Sequence, residues 1–304
     1  MTKPFRLGLI QMSCNRSATD NLSRATEMLR EAAAEGVQLA VLPELFLGPY
    51  FCQTEEHRYY DWAEAVPGPT SDALCKLAKE TKMAIVGSVF ERRISGIYHN
   101  TAFVADAGGE YLGKYRKMHI PDDPLYLEKF YFTPGDLGFK AFQTRYAKVG
   151  TLVCWDQWYP EAARLTALQG AEILVYPTAI GWHPAEKAEY GEAQQGAWEG
   201  IQRGHAIANG CYVAAVNRVG FESGPNSQEP IGGKYQGGIE FWGGSFVYDP
   251  FGRLLHRASS DKEEVIVVEC DPNKGEITRQ HWPFLRDRRI DAYGGITQRA
   301  GGES

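Results

Sequence analysis

Short apolar runs of strand length alternate with stretches of helical period along most of this chain, and two hairpin signals interrupt the alternation. Residues 5–12 read as a first strand. Leu22, Ala25, Leu29, Ala32 and Ala33 then share one face at helical spacing, with Asp20 as the expected N-cap and Gly36 as the stop. A short buried strand is expected at 39–42, a helix at 71–82 and a strand at 83–90. Residues 98–105 and 111–115 flank Asp106-Ala107-Gly108-Gly109, a hairpin turn. Further strands are expected at 149–154, 172–176, 211–217 and 264–270, and helices at 161–169 and 192–209, the second closed by Gly210. A second hairpin surrounds Asp249-Pro250-Phe251-Gly252. Strand–helix alternation calls for parallel neighbours and hairpins for antiparallel ones, so the pattern predicts an α/β protein with mixed sheets. The expected organisation is one domain over residues 1–304, with a core at about 5–282 and a charged, Gly-rich tail at 283–304. Residues 220–238 read as a polar surface loop.

With 304 residues, 43% of them hydrophobic and 23% charged, the chain can bury a sizeable core as a soluble globular protein. Its formal charge of −6 argues against nucleic acid or an anionic membrane as partner. No apolar run approaches the ~18 residues of a membrane span, and the N-terminal residues lack the apolar centre of a signal peptide. A cytoplasmic location is expected. Cys14, Cys52, Cys75, Cys154, Cys211 and Cys270 are widely scattered and form no C-x-x-C pair, which disfavours a disulfide framework or a zinc ribbon. No metal or organic cofactor is expected.

Three segments carry chemistry. In Val153-Cys154-Trp155-Asp156-Gln157-Trp158-Tyr159-Pro160-Glu161 an apolar strand runs into a cysteine just before a helix start. A thiol at a strand-to-helix turn is either a nucleophile near backbone N–H groups or a buried small hydrophobe. In Val41-Leu42-Pro43-Glu44-Leu45-Phe46 a carboxylate follows a buried strand among apolar neighbours. Desolvation disfavours the charged form of a carboxyl and suits it to proton transfer; the alternative is a strand-end glutamate paired with a surface lysine. In Tyr115-Arg116-Lys117-Met118-His119 strand alternation puts Tyr115, Lys117 and His119 on one face. That face is either turned inward or a basic strand edge that resists aggregation.

Taken in this order, the three segments resemble the nitrilase superfamily, the carbon–nitrogen hydrolases, which carry a Glu–Lys–Cys triad. The matching positions are Glu44, Lys117 and Cys154, and a second glutamate of the family is matched by Glu128 in Leu127-Glu128-Lys129-Phe130-Tyr131-Phe132. The resemblance runs from about residue 5 to 270 and implies a four-layer α-β-β-α sandwich of two mixed sheets. It further implies dimers or higher homo-oligomers formed through a helical face, with the helices at 161–169 and 192–209 as candidates. The implied reaction is attack of Cys154 on an amide or carbamoyl carbon. Glu44 serves as base and then acid, Lys117 and the backbone N–H of Trp155 hold the oxyanion, and Glu128 orients the substrate or Lys117.

Within that family the chain resembles the N-carbamoylputrescine amidases, matched through residues 153–164 and 168–181. This implies a small carbamoyl or amide substrate. Plant-type members carry Ser-Glu-Pro where this chain has Trp182-His183-Pro184. A cationic substrate tail would then need Asp122, Asp123 or Glu186. Tyr50, Trp155, Asp122, Trp182 and His183 are the candidates for substrate contact. Competing readings are an N-carbamoyl-amino-acid or β-ureidopropionate hydrolase and an ω-amidase, both of which call for a cation to hold a carboxylate. Outside enzymes, the rivals are a thiol redox sensor and an inactive scaffold.

Overall fold

The computed structural model describes residues 3–224 and 237–301. In the first half, the elements are β1 (Phe5–Gln11), α1 (Ala18–Ala34), β2 (Leu39–Val41), α2 (Pro69–Thr81), β3 (Ala84–Ile94), β4 (Ile97–Ala105), β5 (Tyr111–Arg116) and a one-turn α3 (Glu128–Tyr131). The second half has β6 (Ala141–Gln143), β7 (Lys148–Thr151), α4 (Pro160–Leu168), β8 (Ile173–Thr178), β9 (Gly181–Trp182), α5 (Lys187–Asn209) and β10 (Tyr212–Asn217). It continues with β11 (Val219–Glu222), β12 (Ile239–Trp242), β13 (Phe246–Tyr248), β14 (Leu254–Arg257), β15 (Glu264–Cys270) and α6 (Pro272–His281).

Two six-stranded sheets result, in the orders β15-β1-β2-β3-β4-β5 and β14-β13-β10-β8-β7-β6. Each has a parallel centre, β1-β2-β3 and β7-β8-β10, flanked by antiparallel strands. Alternation along the central strands explains the packing. Leu7, Leu9, Leu39 and Val41 of the first sheet meet Ile173, Val175, Ala214 and Val216 of the second in one buried core. Their neighbours Ile10 and Ala40 face α1 and α2, while Leu174, Val213 and Ala215 face α4 and α5. Both faces of each central strand are thus covered, which is why these strands read as unbroken apolar runs. The layers are α-β-β-α, the sandwich implied by the resemblance. Each large aliphatic side chain so buried contributes about 1.5–3 kcal/mol.

Several local expectations are corrected. The first helix starts at Ala18, not after Asp20: Ser17 caps it, accepting the Asp20 N–H at 3.2 Å, and Asp20 lies in the first turn. The strand expected at 149–154 ends at Thr151, and Cys154 opens a 3-10 turn, Cys154–Trp158. The loop expected at 220–238 begins inside a strand, since β11 runs to Glu222, and it ends where β12, the antiparallel partner of β11, starts at Ile239; its centre, 225–236, lies outside the described residues. No helix among the described residues is long and apolar enough to cross a membrane.

Candidate active site

Cys154 sits on a sharp elbow. Its φ of 40° lies in the left-handed region, a conformation that costs a non-glycine residue about 1–3 kcal/mol unless its surroundings impose it. Asp156 does the imposing. One carboxylate oxygen accepts the Val153 N–H at 3.0 Å and the Tyr115 hydroxyl at 2.8 Å. The other accepts the His119 N–H at 3.0 Å and lies 2.7 Å from His119 Nδ1. The imidazole in turn stacks on Tyr159, with 3.6 Å between ring centroids. Pro160, with its φ already suited to a first helical position, starts α4 directly behind the turn. The Cys154 thiol donates to the Ala179 carbonyl at 3.7 Å. Burial, then the Glu44 charge, push the thiol well above its ordinary range, and Lys117 acts against them.

Glu44 and Lys117 reach the same point from the other sheet. Glu44 follows β2, and its loop is fastened by Arg218, a fully buried guanidinium just past β10. Arg218 donates to the carbonyls of Glu44 at 2.8 Å, Leu45 at 2.9 Å and Gly48 at 3.3 Å, and pairs with Glu222 at 2.7 Å. Glu222 closes the brace by accepting the Tyr50 N–H at 2.6 Å. Lys117 leaves β5 facing inward as alternation requires, while Arg116 points the other way into an ion pair with Glu91 at 2.7 Å. Gly135 lies so close to this strand end that a Cβ would stand 2.0 Å from the Arg116 carbonyl oxygen.

The Lys117 ammonium is buried between two carboxylates, 2.9 Å from Glu44 Oε1 and 2.7 Å from Glu128 Oε2. Burial pulls the ammonium down, but Glu128, Glu44 and Cys154 together outweigh it and hold it well above the ordinary lysine range. Glu44 Oε1 also accepts from Asn100 at 2.6 Å, whereas Oε2 is buried with no hydrogen-bond partner among the described residues. Glu128 Oε1 accepts the Tyr50 hydroxyl at 2.6 Å. Burial pushes the Glu128 carboxyl up to about 7, Lys117 opposing and the Glu44 charge adding to the rise.

A cavity of about 280 Å³ opens onto Cys154, at the small end of ligand pockets. Trp155, Trp158, Tyr126, Trp242, His183 and Glu186 form much of its wall, and Asp123 also lines it. A larger cavity of about 670 Å³ reaches Leu45 and Trp62 but includes neither Cys154, Lys117 nor Glu44. No group of histidine, cysteine or acidic side chains among the described residues is arranged to hold a metal ion.

The sequence pattern of the carbon–nitrogen hydrolases matches residues 6–280. The chain belongs to that family. It is 42% identical over 285 residues to the N-carbamoylputrescine amidase of Arabidopsis thaliana, covering 93% of this chain and 92% of that one. It is 36% identical over 296 residues to the citrullinase of Francisella tularensis, covering 97% and 99%. A crystal structure of a carbon–nitrogen hydrolase from Helicobacter pylori G27 superposes with a TM-score of 0.91 at 45% identity, covering 97% and 99% of the two chains.

Of the carbon–nitrogen hydrolase residues expected from sequence, the fold gathers Glu44, Lys117, Glu128 and Cys154 into one buried cluster and sets Trp155 and His183 in the cavity wall. Three candidates for substrate contact are not in that wall. Tyr50 lies behind Glu128, its hydroxyl spent on that carboxylate. Asp122 is exposed and turned toward Lys129 at 3.9 Å, whereas its neighbour Asp123 lines the cavity. Trp182 packs on Trp242, with its indole N–H donated to the Gly191 carbonyl at 3.0 Å. Sequence reading missed Asp156, Arg218 and Tyr126 as parts of the site. Asp156 carried a signal, its place two residues after the cysteine. Arg218 carried none, because a charge ending an apolar strand ordinarily marks the return to solvent.

Proposed function

We propose that the protein is a cysteine-dependent amidohydrolase that converts N-carbamoylputrescine to putrescine, carbon dioxide and ammonia. The observation that carries this reading is the division of labour at Glu44: one oxygen is held by Lys117 and Asn100, and the other has no partner among the described residues. A buried carboxylate with one unoccupied oxygen is a proton acceptor fixed in place, and Cys154 is electrostatically coupled to it. The similarity to the amidase of Arabidopsis thaliana supports the choice of substrate.

In this mechanism the free oxygen of Glu44 takes the thiol proton as sulfur bonds to the carbamoyl carbon. The Lys117 ammonium and the backbone N–H of Trp155 hold the negative oxygen that develops. Loss of one such donor typically costs about 3–4 kcal/mol of barrier. The tetrahedral adduct collapses by breaking the bond to the terminal nitrogen, which leaves as ammonia with the proton from Glu44. An N-alkyl thiocarbamate remains on Cys154. Glu44 then takes a proton from water, the hydroxide attacks the same carbon, and the sulfur leaves and recovers that proton from Glu44. The released carbamic acid breaks down to carbon dioxide and putrescine. Glu128 keeps Lys117 oriented throughout.

The reading extends to a cytoplasmic enzyme working as a homodimer or higher homo-oligomer. Exposed Leu165 and Leu168 on α4 supply apolar surface for contact with a second copy. The test is ammonia release from N-carbamoylputrescine, with Cys154→Ala as control. Wild type should turn over and trap a substrate-derived adduct on the Cys154 peptide by mass spectrometry. Substantial ammonia from Cys154→Ala would refute the mechanism.

A further inference from the structure

We infer that Asn100 is a positioning residue for the reaction: one amide on β4 decides which oxygen of Glu44 stays free to act as base. The inference rests on the amidohydrolase reading, in which that free oxygen takes the thiol proton, and it names the residue that keeps it free.

Asn100 is fully buried on β4 and reaches both groups that serve Cys154. Its main-chain carbonyl accepts the Lys117 N–H at 2.9 Å, one residue past the end of β5. Its side-chain Nδ2 donates to Glu44 Oε1 at 2.6 Å. The backbone of this residue thus seats the oxyanion holder, and its side chain seats the base. Its two neighbours turn the other way, as strand alternation requires. His99 Nδ1 lies 2.9 Å from the Thr133 carbonyl oxygen. The Thr101 hydroxyl donates at 2.6 Å to Glu91, the carboxylate that also holds Arg116.

Strand pairing does not call for an amide here, since it uses the main chain alone. The next residue on the same face is Ala102, which packs in the apolar cluster of Tyr115 and Cys154. Among the described contacts the Asn100 side chain has one hydrogen-bond partner, Glu44. Its Oδ1 is buried with none among the described residues. A buried acceptor left unpaired is unfavourable, so an apolar side chain would suit the strand as well or better. What an apolar side chain lacks is the N–H that meets Glu44.

Lys117 does not replace that N–H. Its ammonium lies 2.9 Å from Glu44 Oε1 and 2.7 Å from Glu128 Oε2. An ammonium is a compact point charge and does not single out one oxygen of a carboxylate. Without a second donor on Oε1, the Glu44 carboxylate can turn until both oxygens face Lys117, and the base oxygen is lost to the ion pair. The Asn100 amide opposes that turn with a directional bond and adds no charge to a cluster that already holds two carboxylates and one ammonium.

Asn100→Leu tests the inference, because leucine has nearly the same shape and no N–H. With N-carbamoylputrescine, kcat should fall by about a hundredfold while KM changes by less than about threefold. The melting temperature should stay within about 4 °C of wild type, since the orphaned Oδ1 is removed together with the donor. A crystal structure of the variant should show Glu44 Oε2 within about 3.2 Å of Lys117 Nζ. Asn100→Ala, which cannot clash, carries the same expectations for kcat, KM and the carboxylate, and stands in if the leucine variant does not fold. An unchanged kcat, a loss carried by KM instead, or a Glu44 still held through one oxygen would overturn the assignment, with ammonia release by wild type leaving the hydrolase reading intact. No ammonia from wild type would overturn the hydrolase reading, and the crystal comparison would then decide by itself whether Asn100 sets the Glu44 carboxylate.

Discussion

At the scale of single residues, the site is a charge balance in which each group sets its neighbour's state. Lys117 is the only ammonium between Glu44 and Glu128 in the contacts described, and all three are buried. Lys117→Met would leave two carboxylates buried without their cation. Such uncompensated burial costs about 3–5 kcal/mol, so urea denaturation should show a loss of that order together with loss of activity; a loss under about 1 kcal/mol would contradict the arrangement. Glu128 gives a test with pH. Its carboxyl is raised from 4.5 to about 7 in the folded chain. Between those values the folded chain holds a proton that the unfolded chain has released, so this group's contribution to stability is full below about 4.5 and is lost as pH rises through about 7. Glu128→Gln is neutral throughout. The melting temperature of the variant relative to wild type should therefore climb as pH is raised from about 5 to about 8. A flat or falling difference would mean that Glu128 is ionised across the range.

At the scale of elements, the ends of strands do the positioning, and this is where sequence reading was strong in part. The apolar run leading to Glu44 was legible because both faces of β2 are buried, and the inward turn of Lys117 was legible because alternation puts it on the face of Tyr115, which is buried at the end of β5. The run leading to Cys154 was legible as apolar but not in its end point. Leu152 and Val153 are buried in the packing against α4 without belonging to the strand, and apolarity cannot tell the two apart. The braces were least legible, because they join segments far apart in the chain. Arg218 reaches back 174 positions to the Glu44 carbonyl. Arg218→Lys keeps the charge beside Glu222 but loses the planar fork that reaches three carbonyls. It should lower kcat by about tenfold or more through a displaced Glu44, with KM little changed. A purely structural role would instead appear as reduced melting temperature with kcat intact. Gly135→Ala should act similarly on Lys117, since its Cβ would collide with the Arg116 carbonyl.

At the scale of the whole molecule, the four-layer architecture was implied by the resemblance, while strand–helix alternation alone required only mixed sheets. The segment after α6 is mostly exposed yet carries Phe284, Ile290, Tyr293 and Ile296, large apolar side chains left on the surface. If they cover a second copy, a chain ending after Trp282 should elute at lower mass by light scattering than the full chain. Unchanged mass would exclude the tail from the contact. The two sheets contribute unequally to the reacting cluster. Glu44 and Lys117 extend from strands of one, and Cys154 follows a strand of the other. Base and nucleophile are therefore mounted on separate plates, and the layer of Leu7, Val41, Val175 and Val216 between the plates acts as the spacer that aligns them. Catalysis by such an assembly is a vernier on that spacer: thinning it by a methyl group far from the cavity slides base against nucleophile, and turnover will register the slip before unfolding does.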